Sequence, residues 1–288
     1  MVLPTTTWME VGAGCFARRY ASFDVTVGVV LGDAGAVVID TRSSMDEGDE
    51  LLDDLRRLGV GAERIRAVVN THGHFDHCFG NARFPPCPLW GHALLPRYLR
   101  REAPTMRAFL ADRGPEWAAE MDRLEMRVPD HLVAHQATID LGDRLVELVC
   151  TGRGHTDHDL VVVVPTAEVA YVGDLLEESG PPSYGPDCFP LDWPDTLDAL
   201  RAILTGSDDP DRQPAGPTRL VPGHGNAVGM DFLDRQHAEI RTVADIISRL
   251  LESSPGLEDA WQSDEPWPYP PEMLAEALRR AFEQQAGG

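Results

Sequence analysis

The chain alternates between short apolar runs of strand type and longer amphipathic runs of helix type. Residues 24–31 are mostly apolar, a Gly-Asp-Ala-Gly turn follows, and residues 36–41 are again almost wholly apolar. The turn predicts a hairpin, and an apolar run of this length is typical of a strand buried on both faces. We therefore expect the first part of the chain to form a sheet with an inner strand ending near Asp40.

Residues 43–58 have helical periodicity. The four leucines between residues 51 and 58 fall on one face of such a helix, with acidic residues on the opposite face. Ser43 or Ser44 can cap its start, because a hydroxyl oxygen accepts a hydrogen bond from a free N–H of the first turn. Gly59 ends the pattern. This predicts one amphipathic helix packed against the sheet.

The remaining elements are predicted in the same way. Strands are expected at residues 65–70, 88–92, 132–139, 144–150, 160–164, 169–172 and 219–221. Helices are expected at residues 76–83, 195–204 and 231–252 and near 273–282, and residues 94–127 are helical in composition with breaks at Pro96, Pro104 and Gly114-Pro115. Strands followed by a helix, twice over, predict two packed sheets with helices outside.

Composition and charge narrow the function classes. The 288 residues are 43% hydrophobic and carry a net charge of −22, with arginine as the basic residue throughout. An acidic surface repels phosphate backbones, so nucleic acid is not an expected partner. No apolar run is long enough to span a bilayer, and the N-terminus lacks the pattern of an export signal. With five scattered cysteines and no Cys-x-x-Cys pair, we expect a cytoplasmic protein without membrane attachment.

The densest candidate chemistry lies in residues 71–77, which read Thr-His-Gly-His-Phe-Asp-His directly after a predicted strand. Alternation along an extended segment places His72 and His74 on the same side. Asp76 and His77 follow where a helix would begin. Packing gives no reason to gather three imidazoles here. One pair of side chains can hold one cation while Asp76 and His77 hold a second.

Further residues of metal-ligand type stand at the ends of later apolar runs. His155 follows the run at 144–150, Asp174 follows the run at 169–172, and His224 follows the run at 219–221. Glycines accompany them and let the backbone bend or approach an ion closely; these are Gly73, Gly154, Gly173, Gly223 and Gly225. Each of these residues is a weak signal alone, and their shared order and placement predict one site.

The ordered motifs resemble those of the metallo-β-lactamase superfamily. They are an early strand ending in Asp40, the His-x-His-x-Asp-His cluster, a Gly-His, a Gly-Asp and a late Gly-His, over about residues 20–230. The resemblance implies an α/β fold, the four-layer αββα sandwich, with a metal site at the sheet edges. We expect one domain over residues 1–288, with a helical insertion at about 94–127 and a C-terminal helical extension at about 231–288.

The same resemblance implies a ligand set. His72, His74 and His155 would bind the first metal; Asp76, His77 and His224 would bind the second; and Asp174 would bridge them. Asp40 would orient the cluster, and Asp76 is also the candidate catalytic residue. Imidazole nitrogens and carboxylates suit two Zn ions, although Fe or Mn is accepted by the same ligands. Two such ions can hold a bridging hydroxide that attacks the substrate.

Within this superfamily several branches are disfavoured. The family's zinc β-lactamases lack a bridging carboxylate such as Asp174, and its lactonases place a tyrosine shortly after that position. The glyoxalase II branch shares Gly154-His155-Thr156 and Pro-Gly-His-Gly, but its glutathione-binding residues are not evident. The prediction is a hydrolase of an ester, thioester, lactone or amide-like bond in a small molecule. The alternatives are a mononuclear-iron sulfur dioxygenase and a β-lactam-hydrolysing member.

Two further expectations concern the surroundings of the site. The Pro-rich loop 179–194 would shape the substrate pocket, with candidate residues Arg153, Glu177, Tyr184, Phe189 and Trp193. In the C-terminal tail, Trp261 and Trp267 would cover either the core or a second copy of the chain in a homodimer.

Overall fold

Two β-sheets form the centre of the molecule. The computed structural model describes residues 7–206, 218–253, 256–261 and 264–286. In these residues the first sheet has seven strands in chain order: β1 (Met9–Gly12), β2 (Cys15–Arg19), β3 (Thr26–Gly32), β4 (Gly35–Ile39), β5 (Ile65–Val69), β6 (Leu89–His92) and β7 (His131–Val133). The second sheet has five strands: β8 (Gln136–Asp140), β9 (Leu145–Val149), β10 (Val161–Val164), β11 (Val169–Glu177) and β12 (Arg219–His224).

The helices lie between and after these strands. They are α1 (Met45–Arg57), α2 (Phe75–Cys78), α3 (Leu95–Ala111), α4 (Pro115–Arg123), α5 (Trp193–Thr205), α6 (Met230–Ser253), α7 (Leu257–Trp261) and α8 (Ala275–Ala286). In the second sheet the strands run in the order β12-β11-β10-β9-β8, and β11 and β12 are parallel. None of the helices in the described ranges is both long and apolar enough to cross a membrane.

Three apolar clusters lie between the layers of the fold. The central cluster joins the two sheets, for example Val37 and Val69 of the first sheet with Leu148 and Val162 of the second. A second cluster packs α1 on the outer face of the first sheet, and a third packs α5, α6 and α8 on the second. Each sheet thus buries one face against the other sheet and one against helices. The predicted α/β fold, a four-layer αββα sandwich, is confirmed.

The N-terminal predictions agree with the structure. Strands β3 and β4 pair antiparallel up to Gly32 and Gly35, so the predicted hairpin forms around the Gly-Asp-Ala-Gly turn. Ser44 caps α1, since its hydroxyl accepts a hydrogen bond from the Glu47 N–H at 3.2 Å. The buried side chains of α1 include Leu51, Leu52 and Leu55, which is the face predicted from periodicity.

The strand predicted over residues 132–139 is wrong as a single element. The chain leaves the first sheet after Val133 and enters the second sheet at Gln136. Between them the His135 carbonyl accepts a hydrogen bond from the N–H of Cys150, the residue that follows β9 of the second sheet. Because the composition stays strand-like through this crossing, the pattern did not reveal the change of partner strand.

The helix predicted over residues 76–83 is also shorter than expected. Helix α2 ends at Cys78, and a separate 3₁₀ turn covers Asn81–Arg83. Gly80 interrupts the helix because its N–H donates to the Arg42 carbonyl instead of to a carbonyl one turn back. A Cβ at Gly80 would lie 2.0 Å from the Thr41 carbonyl oxygen, so this close approach requires glycine.

The helical insertion differs from its prediction at two prolines. Pro96 stands at the start of α3, where proline is well tolerated, and Pro104 lies inside α3 without ending it. The break comes at Gly114, whose φ of 143° opens the connection to α4. Both helices share one apolar cluster with Cys78 and Phe79, which follow the histidine motif. The insertion therefore packs directly beside the candidate site.

Two predicted boundaries at the second sheet move outward. Strand β11 continues to Glu177 and β12 to His224, so the candidate residues Asp174 and His224 lie within strands. In the tail, Trp267 packs against the apolar cluster under the second sheet, and the side chain of Trp261 lies outside the described residues. The single domain over residues 1–288 stays a prediction, as does the homodimer.

The contact between Gly28 and Tyr171 is a test of how tightly the sheets pack. A Cβ at Gly28 would lie 2.3 Å from Tyr171 Cε1, and Tyr171 is buried with its hydroxyl 3.0 Å from the Phe16 carbonyl. We expect Gly28→Ala to lower the free energy of unfolding by about 1–3 kcal/mol through overpacking, measured by urea denaturation. Gly256→Ala is the control, since a Cβ there meets nothing within 4 Å. Equal midpoints for the two variants would contradict the packing described.

Candidate metal centre

Both sheets contribute to one cluster of histidine and aspartate side chains. His72, His74, Asp76 and His77 follow the C-terminal end of β5 in the first sheet, and His155 follows β9 in the second. Asp174 and His224 lie on the adjacent parallel strands β11 and β12. Parallel neighbours bring their C-terminal ends to the same edge, which explains why residues 50 to 150 positions apart in the chain meet here.

The first ligand group contains His72, His74, His155 and Asp174. One donor atom of each lies within 4.8 Å of the others. His74 Nδ1 is 2.9 Å from His155 Nε2, and the Asp174 Oδ2 atom is 3.4 Å from His155 Nε2 and 3.7 Å from His72 Nε2. Three imidazoles and one carboxylate therefore converge on one point.

The second ligand group contains Asp76, His77 and His224, again within 4.8 Å of one another. His77 Nε2 lies 3.4 Å from His224 Nε2, and Asp76 Oδ2 is 3.4 Å from the same His224 atom. Asp174 reaches this group as well, with Oδ1 3.3 Å from His77 Nε2 and Oδ2 3.3 Å from His224 Nε2. Asp174 thus stands between the two groups.

Asp40 holds the first-sheet side of the cluster. Its Oδ2 accepts hydrogen bonds from His77 Nδ1 at 2.8 Å and Thr71 Oγ1 at 2.7 Å, and its Oδ1 accepts from the Thr71 N–H at 2.8 Å. Thr71 Oγ1 in turn contacts His72 Nδ1 at 3.1 Å. Asp40 is 1% exposed and adopts a left-handed φ of 66°. This carboxylate fixes the rings of His77 and, through Thr71, of His72.

The other three imidazoles are held in the same manner from outside. His74 Nε2 lies 3.1 Å from Asp187 Oδ2, His155 Nδ1 lies 3.0 Å from the Ser183 carbonyl, and His224 Nδ1 lies 3.0 Å from the Phe23 carbonyl. These partners can only accept, so each outer nitrogen carries the proton. The inner nitrogen of each neutral ring is then an unprotonated lone pair facing the cluster.

This arrangement fits bound cations. His74 Nδ1 and His155 Nε2 lie 2.9 Å apart, a distance at which their lone pairs repel each other unless a metal cation or a proton lies between them. His72 Nε2 and Asp174 Oδ1 are buried and have no hydrogen-bond partner among the described residues. Buried polar atoms are normally paired, and outer hydrogen bonds that orient inward-facing imidazoles are typical of metal sites. The donor set could therefore hold two ions.

Burial and neighbouring charges shift the pKa values of the cluster in opposite directions. Burial lowers the pKa of His72 well below its usual value and lowers the pKa of His155 to about 4, so both rings are neutral at pH 7. Burial also lowers the pKa of His77, but Asp174, Asp76 and Asp40 outweigh it and raise the value to about 9. The cluster of histidines holds the pKa of Asp174 well below its usual range despite burial. Asp174 is therefore an anion available to cations.

A cavity of about 680 Å³ opens onto the cluster. His74, Asp76, Asp174, Glu177 and His224 line its inner end. One side is formed by helix α3 and the other by the loop between β11 and α5. A volume of this size is that of a small-molecule site.

The structure places the five predicted pocket residues in different surroundings. Glu177 lines the cavity and is buried. Tyr184 and Trp193 instead pack in the core beneath the second sheet, with exposed fractions of 6% and 0%. Phe189 lines a neighbouring cavity, and Arg153 pairs with Asp192 at 2.6 Å and lies over the Phe189 ring. Aromatic residues in a Pro-rich loop can face the core, and periodicity does not distinguish the two cases.

Asp187 belongs to the site, although no sequence pattern singled it out. It lies 85 positions from Glu102 and 113 positions from His74, yet its carboxylate contacts the His74 ring. Asp187 stands in an irregular loop where no strand or helix period applies. Helix α3 also lines the cavity, and residues 98, 102, 105, 106 and 109 face it at helical spacing.

The comparisons with known proteins agree with this geometry. The sequence model of the metallo-beta-lactamase superfamily matches residues 22–224. The chain belongs to the metallo-beta-lactamase superfamily. The matched range includes every histidine and aspartate of the cluster, and membership supports a metallo-hydrolase.

Individual relatives are more distant. The chain is 27% identical over 109 residues to the metallo-beta-lactamase type 2 of Bacteroides fragilis, covering 37% of this chain and 40% of that relative. A metallo-beta-lactamase from Pontibacter korlensis has 19% identity and a TM-score of 0.60, covering 81% of this chain and 98% of that one. A double mutant of the sec-alkyl sulfatase PisA1 has 17% identity and a TM-score of 0.72, covering 98% of this chain and 50% of that one. These solved structures share the fold.

Asp187→Asn tests the contact to His74. The change keeps the size of the side chain but removes the charge that raises the basicity of the ring. We expect metal affinity to fall about 10- to 100-fold, measured by competition with a chromophoric chelator. Asp192→Asn is the control, because that carboxylate lies in the same loop and pairs with Arg153 on the surface. A loss of equal size in both variants, or in neither, would contradict the role of Asp187.

Proposed function

We propose that the protein is a binuclear metallo-hydrolase that cleaves an ester, thioester, lactone or amide-like bond in a small molecule. The observation that carries this proposal is the position of Asp174 between two groups of ligands that open onto one cavity. A single metal would need only one of these groups. Superfamily membership over residues 22–224 supports hydrolysis as the reaction class.

The proposed ligand assignment follows the two groups. His72, His74 and His155 would hold the first ion, Asp76, His77 and His224 the second, and Asp174 would contact both. Nitrogen and carboxylate donors suit zinc, and iron or manganese is accepted by the same donors. When bound, the ions would polarise the scissile carbonyl and lower the pKa of water to about 7.

Residues of the chain would then orient the metal-binding side chains and accept protons. Asp76 lines the cavity and is directed toward His224, so its carboxylate is placed to hold a water molecule or accept a proton beside the substrate. Asp40 would keep His77 in one tautomer, and Asp187 would do the same for His74. The loop with Ser183 holds His155 and also forms the cavity wall, which couples substrate binding to ligand position.

Metal content separates the proposal from a mononuclear-iron dioxygenase. We expect about two zinc ions per chain in purified protein, measured by inductively coupled plasma mass spectrometry, and loss of hydrolysis after chelation that zinc restores. One iron per chain together with oxygen consumption would favour the dioxygenase. Hydrolysis rates on a panel of esters, thioesters, lactones and β-lactams identify the bond that is cleaved. Turnover of β-lactams alone would favour the β-lactam alternative.

Single substitutions test the ligand assignment. We expect His74→Ala and Asp174→Ala each to lower kcat/KM by about a thousand-fold or more, because several kcal/mol of charge stabilisation would be lost. The fold should persist, measured by circular dichroism, since neither side chain contributes to the apolar clusters. His131→Ala is the control, because that histidine lies on the surface of β7. Unchanged turnover in either ligand variant would refute the assignment.

A further inference from the structure

The cavity has an apolar wall that begins beside the candidate metal centre. Phe75 follows His74 directly and lines the cavity, and its ring centroid lies 5.8 Å from that of Phe109 on helix α3. Met106 lies one turn before Phe109 on the same face. Phe109 is 53% exposed, and the guanidinium of Arg113 lies over its ring, 5.9 Å from the centroid. The wall thus extends apolar surface from the cluster toward the cavity mouth.

A second apolar group faces this wall from another part of the chain. Met273, near the start of α8, is 44% exposed and lines the same cavity as Phe109. The loop side contributes small or uncharged residues such as Gly180, Pro181 and Ser183. A chain of methylene groups would therefore contact apolar atoms over most of the cavity's length and would meet few polar atoms that need a partner.

Apart from His74 and His224 at the inner end, the charged side chains among the described residues that line the cavity are carboxylates. Besides Asp76 and Asp174, the lining includes three carboxylates, those of Glu102, Glu177 and Asp187. Among the described residues that line it, none is an arginine. Arg101 forms an ion pair with Glu102, and it lines the neighbouring cavity instead of this one. Arg113 lies over the Phe109 ring at 5.9 Å but is not among the residues that line the cavity. A carboxylate on the substrate, away from the metal centre, would meet no arginine among the described lining residues and would face like charges.

We infer that the substrate is an uncharged acyl compound whose apolar chain lies along Phe75, Met106 and Phe109. Compounds that carry a carboxylate at the far end of that acyl chain are disfavoured as substrates. This inference rests on the proposed function, because the scissile bond must lie at the histidine–aspartate cluster for the acyl chain of the substrate to reach the wall. It narrows the substrate class by charge and shape, which the identity of the ligands does not do.

Matched substrates test the inference on the zinc-loaded protein. p-Nitrophenyl esters of increasing acyl length keep one leaving group, and we expect kcat/KM to rise about four-fold per methylene until the wall is covered. An ester with an equally long acyl chain ending in a carboxylate should be about 10- to 100-fold slower than its uncharged partner. Equal rates for the charged and uncharged esters would overturn the inference.

Binding without turnover separates the inference from the proposed function. Alkyl hydroxamates attach to metal ions through the head group, so their affinities report the tail alone, measured by calorimetry. We expect the uncharged hydroxamate to bind about ten-fold or more tightly than the carboxylate-ended one. If this preference is found but no acyl bond is cleaved, the proposed hydrolysis fails, and the preference of the cavity for an uncharged apolar chain stands. If esters are cleaved but the hydroxamates bind equally, the inference fails and the proposed function stands.

Two pairs of variants test where the acyl chain and its terminal charge lie in the cavity. Thr105 lines the cavity on an exposed turn of α3. Thr105→Arg supplies the missing cation and should reduce the discrimination against the carboxylate-ended ester about ten-fold, whereas Thr105→Gln should retain it. Phe109→Ser should flatten the dependence on chain length, whereas Leu145→Ser should not, because Leu145 is 48% exposed on β9 and does not line the cavity. Identical behaviour within either pair would overturn the placement of the chain along α3.

Discussion

The site depends on imidazole rings whose outer nitrogens are hydrogen-bonded and whose inner nitrogens face one another. His74 and His155 approach to 2.9 Å with both outer nitrogens held by acceptors, so their inner nitrogens face each other and must share a metal cation or a proton. Such a pair is unfavourable on its own and becomes favourable around a cation. The protein therefore maintains, through Asp40, Asp187 and backbone carbonyls, an arrangement that is stable only with a partner of positive charge.

The sandwich supplies this arrangement through strand ends. Strand β5 is buried on both faces, so its apolar residues fix its register and deliver the histidine motif to one edge. Strands β11 and β12 are parallel and bring Asp174 and His224 to the same edge from the second sheet. The long-range pairing of two sheets determines which residues meet, and the loops with Asp187 and Ser183 complete the surroundings. Ligand geometry is thus a property of the whole sandwich.

Residues at strand ends were predictable as a set, because three histidines within residues 72–77 have few structural explanations and the later residues share their placement after apolar runs. The motif at residues 72–77 and the later His155, Asp174 and His224 lie together as their order suggested, and the layers of the fold are as predicted. Contacts made by loops were not predictable, since neither alternation nor helical period applies to Asp187. Trp193 shows the opposite error, because a large aromatic side chain beside a site can still belong to the core.

Because the ligands come from both sheets, metal binding has a consequence for the degradation of the protein. An ion held as proposed by His72 and Asp174 would join the two halves of the sandwich at the edge where they could otherwise separate. Binding to the folded state alone increases its stability with the concentration of free ion. Starvation for metal would then loosen this edge first and expose strand ends to proteases. The abundance of the protein in the cell would follow the metal supply, in addition to its activity.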